Sequence, residues 1–396
     1  MQNRNYRKTL LAGYLGLITQ AICANFLPLL YVAFQNTYRL SLTQIALIST
    51  VFFFTQLTVD FLCVKLVDRI GYRPCILASQ LTAAAGIAGL TVLPELLPNP
   101  YTGLLMSVFI YAVGSGLIEV LCSPIIEACP FENKAGTMSL LYSFYCWGAA
   151  GVISLSTLFF AVFGIENWKK LTLFWALIPL YNAYNFAVCP IAKPVADGKS
   201  MAVRELLHTK VFWLFLLLMV GAGASEITMG QWASAFAESA LHVSKAVGDL
   251  VGPCGFAVCM GLSRAIFGKN SDRIDLPVFM TVSGILCFGC YLLAGLSGSP
   301  ILGLVGCTLC GFSVGIMWPG SISISSSILP TGGTALFAFL ALAGDLGGSI
   351  GPTLIGAVSQ SAGNDLQVGV ITGIVFPLLL VISVLRLKKD YRARRD

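Results

Sequence analysis

Charge is what this sequence has least of. Lys, Arg, Asp and Glu make up 11% of its 396 residues, against about 25% in soluble domains, so the chain is not built for water. Histidine is almost missing. His208 and His242 are the two present, and both lie between apolar segments, which removes an intramembrane hydrolase constellation. A nucleotide loop is missing too. The nearest approach, Gly198-Lys199-Ser200, has Lys193 where a phosphate-cradling loop needs Gly, and no strand precedes it. We therefore expect no enzyme and no bound cofactor.

Apolar residues fill the space left by charge: they are 57% of the chain and fall into long uncharged blocks. About 20 apolar residues carry a helix across the hydrocarbon core. Twelve such spans are predicted, near 11–34, 42–64, 74–93, 103–126, 136–162, 171–190, 211–236, 246–267, 276–296, 300–323, 334–357 and 368–386. Backbone groups in lipid must be satisfied within the segment, so the spans are helices. The fold class is all-α integral membrane, twelve transmembrane helices in two six-helix halves. The first span follows Arg4, Arg7 and Lys8 as a signal peptide would, but its length and the eleven spans behind it predict that it stays uncleaved.

Basic residues set the orientation. With the N-terminus inside, nineteen of the 24 Lys and Arg fall in inner segments and four in outer ones, with Arg264 inside a span. Both termini are expected to be cytoplasmic, in a plasma or bacterial inner membrane. The +6 net charge follows from that topology and does not argue for nucleic acid. The lipid bilayer and a small-molecule substrate are the expected partners, and the protein is expected to act as a monomer.

Thirteen cysteines sit mostly in the spans, where Cys behaves as a small apolar residue. Cys287-x-x-Cys290 and Cys307-x-x-Cys310 have a zinc-like spacing. Both pairs fall mid-helix, where a closed thiolate site would place negative charge at lipid depth, so a structural role is preferred over metal.

The polar stretch 191–210 divides the chain six spans to six. It predicts an N-terminal half, 1–190, a cytoplasmic linker, 191–210, and a C-terminal half, 211–396. The halves repeat. Asp68-Arg69 and Asp272-Arg273 lie 204 residues apart, each in a short loop after the second span of its half. Internal repeats of this kind mark transporters that move one half against the other.

The run Asp68-Arg69-x-Gly71-x-Arg73 resembles the loop motif of the major facilitator superfamily. In that family the loop pairs with neighbouring helix ends and holds the cytoplasmic side closed. The resemblance implies a cytoplasmic gate made by Asp68, Arg69, Arg73, Asp272 and Arg273, charges that must break and re-form between states.

An ionisable group at bilayer depth is a functional candidate by default. Asp60, Glu127 and Arg264 fall near span ends and are read as structurally paired. Glu119, Glu226 and Asp345 fall near mid-span and need a cavity, a partner or a proton. No Lys or Arg lies mid-span in the first half to lock Glu119. Glu226 shares a helix face with Gly223 and Gly230, with Gln231 and Trp232 further along. Asp345 lies among overlapping small-residue pairs, Gly344/Gly348 and Gly347/Gly351, so it either caps a packed backbone or lines the path.

Gly114-x-Gly116-x-x-Glu119 with Pro124, Gly223-x-x-Glu226-x-x-x-Gly230-x-Trp232, and the Gly-rich run around Asp345 resemble the fucose–galactose–glucose:proton symporter family. The resemblance implies that Glu119 takes part in sugar binding and proton coupling. Asn25 stands where the fucose permeases carry an acid. It can bond a hydroxyl but cannot carry a proton.

Glu119 and Glu226 are thus the expected proton-coupling acids. Sodium is less favoured, because it needs several oxygen ligands together. Asn25, Glu119, Glu226, Gln231, Trp232, Trp318 and Asp345 form the expected substrate site. That inventory of amides, carboxylates and indoles, with no base to neutralise an anion, suits a neutral monosaccharide. The alternative is a proton-driven drug efflux antiporter of the same fold. Those carry a Gly-Pro motif in the fifth helix, and Tyr142 to Phe163 has no Pro.

Overall fold

The computed structural model describes the chain apart from residues 1–5, 41, 193–200, 242–244, 364–365 and 396. Some further side chains, those of Asp68 and Trp232 among them, also lie outside the description. Among the described residues there is helix and no strand, and eleven helices are long and apolar enough to cross a membrane. The twelfth expected span, 246–267, lies in a continuous helix, Lys245–Asn270, whose first-turn side chains are outside the description.

Contacts gather the chain into two compact units: residues 1–130 with 148–194, and residues 131–147 with 195–396. The first holds α1 (Tyr6–Asn25), α2 (Tyr31–Tyr38), α3 (Leu42–Ile70), α4 (Tyr72–Leu96), α5 (Pro100–Glu127), the second half of α6 (Lys134–Phe163) and α7 (Trp168–Val188). The expected first span is broken at Phe26, where Pro28 removes a donor and the chain tightens into a 3-10 turn, Leu27–Leu30. Helix α5 packs against α1, α3 and α4. It meets α4 so closely that a Cβ on Gly114 would sit 2.6 Å from the Ala83 nitrogen, and Gly86 faces the Tyr111 backbone in the same way. Only glycine lets these backbones meet. Toward the other end, Phe34 meets Trp168 edge-on at 5.4 Å.

The second unit holds the first turns of α6, then α8 (Val203–His208), α9 (Lys210–Leu241), α10 (Lys245–Asn270), α11 (Leu276–Leu296), α12 (Pro300–Val314), α13 (Met317–Ile328), α14 (Gly333–Ser361), α15 (Leu366–Thr372) and α16 (Val375–Arg395). The Gly-rich stripe of α14 is a packing surface: Gly344 backs onto Gly223 of α9, and Gly347 and Gly351 onto the α9 backbone. Two expected spans are interrupted. Between α12 and α13 the cause is Pro319, which cannot donate to the carbonyl of Gly315 one turn earlier. Between α15 and α16, Pro377 stands in the same relation to Gly373.

Residues 131–147 fall with the second unit, whereas the span count groups all of 1–190 together. Small residues explain it. The Gly268 Cα carries no side chain, and a Cβ there would touch the Gly136 carbonyl at 3.1 Å; Gly261 lies as closely under the Trp147 ring. Ser139 donates to the Arg264 carbonyl at 2.7 Å, across the same α6–α10 seam.

Candidate functional site

In the first unit the polar centre is built on Glu119, which α5 carries mid-helix and which is 8% exposed. Gln20 of α1 donates its Nε2–H to Glu119 Oε2 at 2.9 Å. The Nε2–H of Gln56, on α3, donates to the same oxygen. Ser115, one turn before Glu119, donates to Gln56 Oε1 at 3.4 Å. Three helices thus converge on one carboxylate through neutral amides. Hydrogen bonds to a charged acceptor are the stronger kind, and buried polar groups are costly unless so satisfied.

Beside this cluster lies a second amide group that spacing does not suggest. Asn182 of α7 donates to the Ala12 carbonyl at 3.0 Å and to Gln80 Oε1 at 3.3 Å, and Thr19 also reaches Gln80 Oε1 at 3.4 Å. Gln80 and Asn182 are fully buried. Asn25 is half-buried and turns its amide back to its own helix, donating to the Ala21 carbonyl at 2.9 Å.

In the second unit Glu226 is held quite differently. Arg264 Nη2 donates to Glu226 Oε2 at 2.9 Å. Arg264 is 1% exposed, the largest fully buried side chain of the chain's described residues. Its Nε–H takes the Gly315 carbonyl at 2.7 Å, the acceptor that Pro319 leaves without a helical donor. Its Nη1–H takes the Tyr142 carbonyl at 3.0 Å, on the α6 segment of the same unit. One guanidinium therefore joins α9, α10, α6 and the α12–α13 break.

Of the cavity, partner or proton that the mid-span position of Glu226 calls for, the structure supplies the partner. It also puts a base beside a candidate site that the sequence reading takes to have none. Linear spacing hides the pairing, because it places Arg264 near a span end. Both residues belong to one buried ion pair, and such pairs are costly to break from either side.

The remaining candidates are scattered. Trp318 is buried, 7% exposed, with its ring against the bare Gly344 Cα. It fills the space that glycine leaves, three residues after Gly315, the Arg264 acceptor. Asp345 follows Gly344 on α14 and is half-buried. Gln231 is exposed, and the Trp232 side chain lies outside the description. Among the loop charges, Arg73 caps α7: its guanidinium donates to the carbonyls of Phe186, Ala187 and Cys189 at 2.6–2.8 Å, a cation on a helix C-terminus. Asp272 accepts from Asn133 Nδ2 at 2.7 Å, and Ser271 does so at 2.6 Å. Arg69 and Arg273 are exposed. The Asp68 side chain lies outside the description. The four-cysteine motif brings Cys287 and Cys310 to 3.7 Å, sulfur to sulfur. Among the described residues no group of three or more His, Cys, Asp or Glu is placed to hold a metal.

Long apolar helices with polar groups buried among them define a polytopic membrane protein. The family model of the Major Facilitator Superfamily matches residues 12–352, and the chain belongs to that superfamily. It is a multi-pass membrane transporter. A multi-drug resistance efflux pump, PmrA, of Streptococcus pneumoniae is 26% identical to it over 322 residues, 75% of either chain. Among solved structures, the fucose:proton symporter FucP of E. coli superposes with a TM-score of 0.79 at 18% identity, over 97% of this chain and 98% of that one. The proton:xylose symporter XylE gives 0.82 at 12% identity, over 97% and 95%. At these identities the two structures speak to the fold.

Proposed function

We propose that the protein takes up a small neutral polar solute, of the monosaccharide class, together with a proton. The observation that carries this is the Glu119 cluster. A buried carboxylate whose Oε2 accepts from the amides of Gln20 and Gln56 keeps donors that can serve either a carboxylate or the carbonyl oxygen of the protonated acid. The same amides offer donors and acceptors for hydroxyl groups. Glu119 is the coupling acid in this reading. Glu226 is not a second one, because protonating it would leave Arg264 buried beside a neutral acid. The coupling ion is a proton rather than sodium, since amide N–H groups, which repel a cation, occupy one carboxylate oxygen.

The two halves alternate access to the solute, as internally repeated transporters do, with Asp68, Arg69, Arg73, Asp272 and Arg273 as the gate charges. Both termini lie on the cytoplasmic side of a plasma or bacterial inner membrane. Proteoliposomes with an imposed pH gradient test the proposal. Accumulation of a neutral monosaccharide on the alkaline side supports it, and a panel of sugars without proton-driven uptake rejects it.

A second reading, proton-driven efflux of lipophilic drugs, is favoured by the named pump at 26% identity. It predicts that lipophilic cations, and not sugars, move against the proton gradient in the same vesicles.

A further inference from the structure

Helix α6 ends at Phe163, and Gly164 turns the chain with φ of +80° into a short 3-10 turn, Ile165–Asn167, before α7 begins at Trp168. Asn167 closes that turn by donating to the Phe163 carbonyl at 2.6 Å. Below the turn a groove of about 500 Å³ is lined by residues of both helices, within the range of roughly 300–1,000 Å³ typical of small-molecule sites. The whole groove belongs to the first unit.

Its floor is rigid and its rim is greasy. Leu171 and Trp175 form the floor at 5% and 4% exposure, and Trp175 is fixed by donating its indole N–H to Ser156 Oγ at 3.1 Å. Leu155, Phe163 and Phe174 form the rim, each more than half exposed. Neighbouring Leu158, Val162 and Leu177 are exposed as well. In a membrane-spanning chain this surface faces acyl chains, so the groove opens sideways into lipid. From Phe163 to Leu155 the helix descends about 12 Å at 1.5 Å per residue, which is deep enough for the upper part of one chain.

The mouth is charged on one side only. Lys170 lines the groove two residues into α7, at the level where the span ends. Its neighbour Lys169 is engaged by Glu95, whereas Lys170 makes no ion pair among the described residues, Glu166 four residues earlier included. A Lys at a span end lays its stem along apolar surface and carries its ammonium to the headgroup layer. A lipophilic cation would be repelled there, and a neutral lipid would leave the charge unused.

We propose that this groove is a binding site for one glycerophospholipid, with an acyl chain between α6 and α7 and its phosphate on Lys170. The site is separate from the Glu119 and Glu226 centres and does not depend on the solute proposed above. Phosphate is the recognised group, so phosphatidylglycerol and phosphatidylethanolamine both qualify, and dioleoylglycerol does not.

Native mass spectrometry of the full-length protein in detergent, titrated with dioleoyl phosphatidylglycerol, tests it. One lipid should remain bound under activation that strips the rest. Lys170→Glu should weaken that retention about tenfold, and Leu155→Trp, which fills the groove from its exposed rim, should abolish it. Dioleoylglycerol should not be retained, and free glycerol phosphate should not compete. Equal retention of phosphatidylglycerol by both variants would overturn the site. Retention of dioleoylglycerol as firmly as the phospholipid would overturn the role of Lys170. Since Lys170 and Leu155 are both on the surface, the melting temperature of each variant in lipid-free detergent should match that of the parent.

Discussion

Glu119 and Glu226 are two mid-helix acids, one in each unit, kept by opposite means. Glu119 is held by neutral amides from α1 and α3, Glu226 by a buried guanidinium that also binds two backbone carbonyls. Amide donors can serve a carboxylate or a carboxylic acid, whereas a guanidinium favours the ionised form. On the proposed function, the same residue type serves a mobile proton in one unit and a static brace in the other. Sequence alone does not separate these roles, because it ranks an acid by depth and cannot say which distant side chain reaches it.

The largest effect that would break the comparison lies in the second unit. Arg264→Leu should cost about 3–5 kcal/mol, the usual toll for stranding one member of a buried pair. It should lower the melting temperature in detergent by far more than Glu119→Gln does. Adding Glu226→Gln to Arg264→Leu should return part of that loss, because no charge is then stranded. If Arg264→Leu is as stable as the parent, the brace is not one.

A smaller effect is expected in the first unit. Gln56→Leu should cost about 1–3 kcal/mol by leaving the carboxylate and Ser115 short of a partner, read as a shift in thermal unfolding. It should also impair pH-driven uptake, whereas Asn25→Gln should leave uptake largely intact, because the Asn25 amide turns back to its own helix. Loss of stability with unchanged coupling would reduce Gln56 to packing.

The gate charges should act on rate. Asp68→Asn or Arg273→Ala should cut the maximal transport rate with little change in substrate affinity, because these charges act between states. An affinity loss at unchanged maximal rate would remove them from the gate. Smallest in energy is topology: reporters fused after Lys199 and at the C-terminus should both report cytoplasm.

Much of the fold is legible in the sequence because lipid imposes one rule: an apolar run long enough to span is a helix. The interruptions at Gly315 and Gly373 are not, since a hydropathy window averages over the missing donors of Pro319 and Pro377. The placement of residues 131–147 in the second unit is hidden as well, because Gly136, Gly261 and Gly268 act across the chain. In the site, Glu119 is legible as a rare acid among small residues. Gln20, Gln56, Gln80 and Asn182 escape a reading that starts from ionisable groups and the motifs around them. Each is a polar side chain deep in an apolar span, and that signal would have found all four. Trp318 is a site residue by its sequence context, and its ring instead fills the space over Gly344.

The central proposal is that Glu119 carries the coupling proton and the Glu226–Arg264 pair does not. Its most direct test is uptake of a panel of neutral monosaccharides by proteoliposomes holding the parent or Glu119→Gln, with and without a pH gradient. Glu119→Gln is expected to lose uphill accumulation and to keep downhill exchange of the same sugar. A Glu119→Gln protein that still concentrates sugar under the gradient would contradict it.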